Sequence, residues 1–468
     1  MNPLPATSGR FDRSERVLVI GLGRSGRASV EVLAPRVAAV YATDEGARDA
    51  LAPAIAEIGR AGVPFVEPDA LADVLPKVTV AVLSPGIPLN GELVRRVQSA
   101  GVPVFSEVEV AYRICKAPIV ALTGTKGKTT TTALIGEIFA RAGKTVHVGG
   151  NIGNALINET AAAAPEDWVI AEVSSFQLES IRSFKPRIAC IINITPDHLD
   201  RYHSMEEYAE AKFRIFANQG PGDTFVGNLD DPIVAAAPGE ENNRIHGRAL
   251  WYAREPHRQT TLYIRNEQTI VYAPPTGDPR PVEIMPVADI PLRGAHNVEN
   301  VMAAILAGLA AGLEREPIVE AVRGFKALHH RLETVDDRDG ILWIDDSKAT
   351  NPGSVMAALR SFDRPIILIA GGKPKGTDFA EMGKVVSSRT KAAILIGEAA
   401  PEIGKTVKRA VVAYADSMEE AVEHARSIAV PGDVVLLSPG CASFDMFTSA
   451  EARGDAFIAA VRGVEHAR

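Results

Sequence analysis

The chain reads as an α/β protein with largely parallel sheets, and three observations predict this. Short apolar strands alternate with helical stretches almost from end to end. Glycine-bearing turns follow strands in each of three successive stretches. The 468 residues, 46% hydrophobic, exceed the roughly 250–300 that one core usually serves, so more than one domain is expected.

In chain order, RVLVIGLG from Arg16 is a continuous apolar run ending in glycines, the pattern of a strand buried on both faces. ASVEVLAPR predicts the helix after it, AAVYATDE a second strand and VTVAVLSPG a later one, all within a unit spanning 1–116. A second unit, 117–325, opens with the strand PIVALTG, the helix TTTALIGEIFARAG and the strands TVHVGG, WVIAEVSS and IACIINIT. SMEEYAEAKFRIFAN has helical periodicity, and Ser204 with Glu207 three residues on predicts a capping box. Residues 240–290 are polar and proline-rich with runs such as TTLYIRNEQTIVYA, which predicts a small antiparallel β excursion before the helix GAHNVENVMAAILAGLAAGL. GILWIDDS, PIILIAGG, AAILIGE and DVVLLSPG predict four strands in a third unit, 326–468.

The formal charge of -8 and pI near 5.8 give no argument for nucleic-acid binding. Cys115, Cys190 and Cys441 lie far apart without CxxC spacing, which argues against a disulfide scaffold or structural zinc site. MNPLPATSGRFDRSER has no apolar run after its charges, and no stretch approaches the ~18–20 apolar residues of a membrane span. A cytoplasmic enzyme is the expectation.

The run ALTGTKGKTT carries the strongest chemical signal. A strict GxxxxGK[ST] pattern would put glycine at Leu122 and fails there. Gly124, Thr125, Lys126, Gly127, Lys128, Thr129 and Thr130 nevertheless sit between a predicted strand and a predicted helix, the context that phosphate binding needs. Backbone N–H groups and the helix start can hold an anion, Lys128 can reach the transferred phosphate and Thr129 can ligate Mg²⁺.

Other candidates are less specific. GLGRSG, with Gly21, Gly23 and Gly26 after a strand and Asp44 beyond the next, matches a dinucleotide fingerprint; it agrees with nicotinamide, with any pyrophosphate ligand, or with a structural turn. Glu172 and His198 end successive strands beside the phosphate loop; Glu172 suits a magnesium-handling acid, while His198 reads equally as ligand or structural residue. Lys212 reads as a lysine snorkelling from a helix edge, with a buried lysine of lowered pKa as the other reading. DDSKATNP and SPGCASFDMF follow strands in the third unit and suggest a ligand-facing edge, where Lys348 and Thr350 could bind a carboxylate. The HHR at 329–331 follows the boundary between the second and third units, where a cation could reach phosphates when domains close, and GGKPKG at 371–376 reads as a weaker glycine–lysine turn or a structural one.

Taken in order, GLGRSG, LSPGIP, GTKGKTTT, GNIGNAL, EVSSFQLE, ITPDHLDRYHS, EAKFRIF, GAHNVEN, HHRLE, DDSKATNPGS, GGKPKG and LSPGCASFDMF resemble the Mur ligase family, ATP-dependent amide-forming ligases of peptidoglycan synthesis, and within it the D-glutamate-adding members. The resemblance covers nearly the whole chain. It implies three domains: an N-terminal Rossmann-like domain for a UDP-linked substrate, a central P-loop mononucleotide-binding domain for ATP, and a C-terminal Rossmann-like α/β domain for the amino acid. By resemblance Arg24, Ser25, Asp44, Ser84, Pro85 and Gly86 serve the UDP-substrate, with Asn151 lining the substrate and metal region. Asn297, Arg331 and Asp346 join the phosphate loop on ATP. Thr129, Glu172, His198 and Lys212 serve two Mg²⁺ ions, Lys212 as a carbamate. Lys348, Thr350, Ser438 and Phe447 would bind D-glutamate. The implied substrates are UDP-N-acetylmuramoyl-L-alanine and D-glutamate, and the implied state a monomer. Where many family members carry asparagine this chain has Lys126, an added charge beside the phosphates that should be tolerated.

Two other readings were weighed. A folylpolyglutamate synthase shares the central logic but would not need the GLGRSG domain ahead of it. An NAD-dependent dehydrogenase accounts for the first 115 or so residues and leaves the phosphate loop and third unit without a task.

Overall fold

Three sheets follow one another along the chain. The computed structural model describes residues 11–198, 201–237, 245–275, 280–326, 329–374, 378–408 and 410–463. Leu199 and Asp200 of the ITPDHLD run and Lys375 and Gly376 of GGKPKG lie outside them, as do 238–244 and 276–279 near the expected excursion.

The first sheet has β1 (Arg16–Ile20), β2 (Ala39–Thr43), β3 (Val80–Leu83) and β4 (Val104–Ser106) in the order β2-β1-β3-β4, all parallel. The second has β5 (Ile119–Thr123), β6 (Val146–Gly150), β7 (Trp168–Glu172), β8 (Ile188–Ile191), β9 (Thr224–Asn228), β10 (Arg248–Ala253), β11 (Leu262–Arg265), β12 (Thr269–Tyr272) and β13 (Val282–Pro286). Their order is β13-β12-β11-β10-β9-β8-β5-β7-β6. The expected antiparallel excursion is present as β11, β12 and β13, and it forms the edge of this sheet. β10 and β11 continue the parallel sheet beyond β9, and β12 alone is reversed, so that it pairs antiparallel with both β11 and β13.

The third sheet has β14 (Glu333–Arg338), β15 (Ile341–Asp345), β16 (Ile366–Gly371), β17 (Thr390–Ile396), β18 (Val411–Ala415) and β19 (Val434–Gly440), ordered β14-β15-β19-β16-β17-β18. It is parallel apart from the β14–β15 hairpin pairing. Sequence patterning predicted four of these strands. β14 and β18 are the outer ones, and an edge strand half in water carries charges (ETVDDR) or exposed apolar groups (Val411, Tyr414) that hide its periodicity.

Contacts divide the chain into two compact units, one ending at Asp289 and including Glu299–Arg323, the other made of Ile290–Val298 and the chain from Gly324. The first two sheets belong to the same unit because they share an apolar cluster, from Val17 and Val108 to Leu156 and Phe184. Helix Glu107–Ile114 adds polar stitches: the buried Glu109 carboxylate accepts from the N–H groups of Arg182 at 2.9 Å and Phe184 at 2.8 Å. Burial pushes the Glu109 pKa up, but the bonds from Ser183, Arg182 and Arg113 outweigh it and hold the group ionised below its ordinary value.

The helix Met205–Phe213 begins as expected at Ser204, whose hydroxyl accepts from Glu207 N–H at 3.2 Å. The box is not closed on Ser204 itself, because Glu207 Oε2 accepts from His203 N–H at 2.8 Å.

Candidate active site

β5 lies between β7 and β8, so the sheet reverses its winding at the carboxyl end of β5, the position where open α/β sheets bind ligands. The loop there is held by residues from neighbouring strands. Asn193, just past β8, accepts at Oδ1 from the N–H groups of Thr125 (3.1 Å) and Lys126 (2.8 Å) and donates from Nδ2 to Lys126 O at 2.9 Å. Gly127 has φ +80 and starts the helix Lys128–Arg141; a Cβ on it would fall 2.3 Å from Asn300 Oδ1, so glycine is required twice over.

Two lysines share one carbonyl of this loop. Lys128 Nζ donates to Gly124 O at 3.0 Å and to Thr125 O at 2.8 Å, while Lys212 Nζ donates to Gly124 O at 2.8 Å. Lys212 is 1% exposed, which overturns the snorkelling reading. Burial, and next the Lys128 charge, push its pKa well below the ordinary lysine value. The Tyr208 ring lies 4.5 Å from Nζ, and Tyr208 Oη is 3.2 Å from Thr125 Oγ1.

Glu172 ends β7, one strand from the loop, in register with Leu122. It is 1% exposed; Oε1 accepts from Asn151 Nδ2 at 2.8 Å, and Oε2 is buried without a hydrogen-bond partner. A buried carboxylate oxygen left unpaired is costly unless a cation meets it, and oxygen is the hard donor that magnesium takes. The residues present therefore fit Mg²⁺. Asn151, expected beside the UDP-linked substrate, is thereby tied to Glu172. His198 has φ +55; its ring is partly exposed and packs edge-on against Phe176 at 4.8 Å.

The first glycine turn, after β1, is built from its own surroundings. Gly21 has φ +91, and a Cβ on Gly26 would fall 1.8 Å from Gly21 O. Ser84, after β3, donates to Gly21 O at 2.8 Å, and Asp44, after β2, accepts from Leu22 N–H at 2.6 Å and Gly46 N–H at 2.8 Å. Arg24 is exposed at the head of the helix Arg24–Leu33, Ser25 is buried beneath it, and Pro85 and Gly86 follow Ser84 on the adjoining turn.

In the second unit the loops after β15 and β19 are neighbours, because those strands pair. Asp346 accepts from Ser438 Oγ at 2.9 Å; burial pushes its pKa up to about 7 against the pull of Ser438 and Arg331. Lys348 pairs with Glu451, whose pKa that contact lowers to about 2. Thr350 and Phe447 are half-buried on the same two loops, and Asn297 Nδ2 donates to Arg293 O at 2.7 Å.

Several organising residues escaped the sequence reading. Asn193, Asn300 and Tyr208 brace the phosphate loop, and Arg453, 1% exposed, binds both loops of the second unit through Ser347 Oγ (3.0 Å) and the carbonyls of Cys441 and Ala442 (each 3.2 Å). Their partners stand tens of residues away, so no local spacing marks them.

Comparison with known proteins agrees with this arrangement. Residues 15–106 match the model for the Mur ligase MurD-like N-terminal domain, 122–308 the Mur ligase middle domain, and 330–441 the Mur ligase glutamate ligase domain. A UDP-N-acetylmuramoylalanine–D-glutamate ligase from Pelotomaculum thermopropionicum is 43% identical over 454 residues, 95% of this chain and 96% of that one. One of the same description from Koribacter versatilis is 42% identical over 451 residues, covering 96% and 98%. Among solved structures, a pseudomurein peptide ligase type C from Methanothermus fervidus and the UDP-N-acetylmuramate-alanine ligase MurC from Thermotoga maritima each superpose with TM-score 0.59 at 19% identity, covering 97% of this chain and 100% of theirs, a likeness of fold. With relatives above 40% identity along almost its whole length, the chain belongs to the Mur ligase family.

Proposed function

We propose that this chain joins D-glutamate to the L-alanine carboxylate of UDP-N-acetylmuramoyl-L-alanine, consuming ATP and releasing ADP and phosphate in peptidoglycan biosynthesis. The observation that carries the chemistry is the pair of lysines on the Gly124 carbonyl, at the mouth of a loop between β5 and its helix. The relatives that match end to end carry this activity in their names.

A carboxylate is a poor acyl donor because its leaving group would be oxide. The substrate carboxylate therefore attacks the γ-phosphorus of ATP, the bond to the β-bridging oxygen breaks, and an acyl phosphate forms. The amine of D-glutamate attacks its carbonyl carbon, and phosphate leaves as the amide forms. Lys128, held at the loop by two carbonyls, sets a fixed positive charge where the transferring phosphoryl group gathers negative charge. Thr129 and Glu172 would hold magnesium, with His198 and Lys212 serving a second ion; the metal supplies neutralisation of phosphate charge. The attacking amine loses its proton to His198 or to a phosphate oxygen.

Lys212 is suited to become a carbamate. Its lowered pKa favours the free amine, whose lone pair forms a bond to the carbon of CO₂ while one N–H proton leaves to solvent. The product sets an anion beside the Lys128 ammonium, where the neutral amine offers no charge to pair with it. Arg24, Ser25, Asp44, Ser84, Pro85, Gly86 and Asn151 serve the UDP-linked substrate. Asn297, Arg331 and Asp346 serve the nucleotide, and Lys348, Thr350, Ser438 and Phe447 serve D-glutamate. The same reading takes the protein as a cytoplasmic monomer of three domains dividing near 116 and 325; among the described residues no helix is long and apolar enough to cross a membrane.

Phosphate release with UDP-N-acetylmuramoyl-L-alanine, ATP and magnesium tests the proposal, with D-glutamate, L-glutamate and meso-diaminopimelate compared. Turnover that requires D-glutamate supports it. Equal turnover with L-glutamate or with a folate acceptor would sink it, and a Lys212→Ala variant of near-normal activity would sink the carbamate.

A further inference from the structure

At the start of β14, apart from the residues assigned above, two imidazoles converge on one carboxylate. His329 Nε2 and His330 Nε2 each lie 3.6 Å from Asp455 Oδ1, with the rings 3.8 Å apart between centroids. The opposite nitrogen of each ring is already committed: His329 Nδ1 lies 2.6 Å from Glu333 Oε2, and His330 Nδ1 lies 2.6 Å from Asp345 Oδ2. An ionised carboxylate only accepts, so each Nδ1 is the donor of its pair, and Nε2 is the ring atom left over on the side of Asp455. At 3.6 Å neither Nε2 is within hydrogen-bond reach of that carboxylate.

Two imidazole nitrogens and a carboxylate oxygen within 4.8 Å of one another, each imidazole backed by a second carboxylate, is the donor set of a transition-metal site. Tetrahedral zinc with bonds of ~2.0–2.1 Å separates its ligand atoms by about 3.3–3.4 Å, close to the 3.6 Å between Asp455 Oδ1 and each imidazole. Gly454 permits the approach, since a Cβ there would fall 2.0 Å from His330 Nδ1. His329 and Asp455 are 61% and 66% exposed, which leaves a path for an ion to enter.

We propose that His329, His330 and Asp455 bind one zinc-class dication, oriented by Glu333 and Asp345, with a coordination position left for water or an anion. The site uses no cysteine, so cysteine spacing could not reveal it. Imidazole donors favour zinc, cobalt or nickel over magnesium, which separates this ion from the magnesium of the phosphate loop. Bound metal would tie the segment bearing Arg331 to the helix Ala450–Gly463, which carries Arg453 and the Lys348 partner Glu451.

Cobalt titration of the chelator-stripped full-length chain in excess magnesium, followed by its visible absorption, tests the proposal without reference to turnover. One equivalent should bind with the intense spectrum of a four-coordinate ion. His329→Ala and Asp455→Asn, both at exposed side chains, should each lower the affinity at least tenfold, and Glu333→Gln should lower it about 10–100-fold. Glu172→Gln should leave the cobalt equivalent in place. Absence of cobalt binding in excess magnesium, or undiminished affinity in His329→Ala, overturns the site.

Discussion

Two strand–turn–helix junctions in the first unit use almost the same glycines, and the chain equips them for opposite electrical tasks. After β1 the turn faces inward upon itself: Ser84 donates to its carbonyl, and the Asp44 carboxylate takes its Leu22 N–H. After β5 the turn gathers cations, with the Gly124 carbonyl taking Lys128 and Lys212 together. Two buried glutamates of the same unit, Glu107 heading the helix after β4 and Glu172 ending β7, each have one oxygen satisfied and one without a hydrogen-bond partner. Glu107 accepts from Ile157 N–H at 2.6 Å, Glu172 from Asn151 at 2.8 Å, and Oε2 of each is unpaired. Glycines thus record where backbone must pass close to backbone, while side chains delivered from other strands decide what the turn can hold.

The sharpest way to break this contrast is to remove the charge from the second turn. Lys128→Ala should cut kcat about a thousandfold, the scale on which a fixed transition-state donor acts. Gly124 O keeps Lys212 as a partner, so thermal unfolding should change little. Steady-state phosphate release with D-glutamate measures the loss; a variant within tenfold of wild type would remove the phosphate loop from the chemistry.

Lys212→Met comes next and should separate stability from activity. In CO₂-free buffer it deletes a buried polar amine, and an apolar side chain of similar size removes the cost of burying it while Gly124 O keeps Lys128 as a partner. We expect a higher Tm together with an activity loss of about a hundredfold or more. A lower Tm would mean that the contacts with Gly124 O and Tyr208 outweigh the burial cost.

These residues also mark how far sequence reasoning reached. Most inner strands, the two glycine turns and Lys128 were legible because strand periodicity and motif spacing are local, while β9, inner and buried throughout, was missed because Thr224, Gly227 and Asn228 dilute its apolar run. The charge conflict at Lys212 was not: its helix has apolar neighbours on several sides, and only the fold brings Nζ to a carbonyl 88 residues earlier. The resemblance pointed to Lys212, whereas the residues alone favoured an exposed lysine. Asn193, Asn300, Glu107 and Arg453 stayed hidden for the same reason, since asparagine or a buried charge has no periodic signature. β14 and β18 were missed because edge strands face water.

The two glutamates sharpen the comparison by pH. Burial raises the Glu107 pKa from 4.5 to about 7, against the Ile157 bond and the Arg24 charge. Across that window the unfolded chain has released the proton while the folded chain retains it, so stability falls as pH rises from 4.5 to about 7 and levels off above. At 1.36 kcal/mol per unit the loss is on the order of 3 kcal/mol. Glu107→Gln keeps an acceptor for Ile157 N–H and has no proton to lose, so its urea midpoints should be flatter over the same range. An unchanged slope would assign the pH dependence elsewhere, Asp346 being the other carboxyl raised to about 7.

The smallest expected effect tests whether the first turn holds a ligand at all. Asp44 accepts two backbone N–H bonds with its two oxygens, and asparagine can keep only one of them. If the carboxylate serves only the turn, Asp44→Asn should lower Tm and leave every KM unchanged. If it also binds the UDP-linked substrate, KM for that substrate should rise about tenfold, the value of one charge-assisted hydrogen bond. Because the lost contact would be equal in the ground and transition states, kcat and the KM values for ATP and D-glutamate should stay as they are. We expect the second pattern. A fall in kcat with KM unchanged would mean that the two turns are not divided between holding a substrate and moving a phosphoryl group, and the contrast between them would fail.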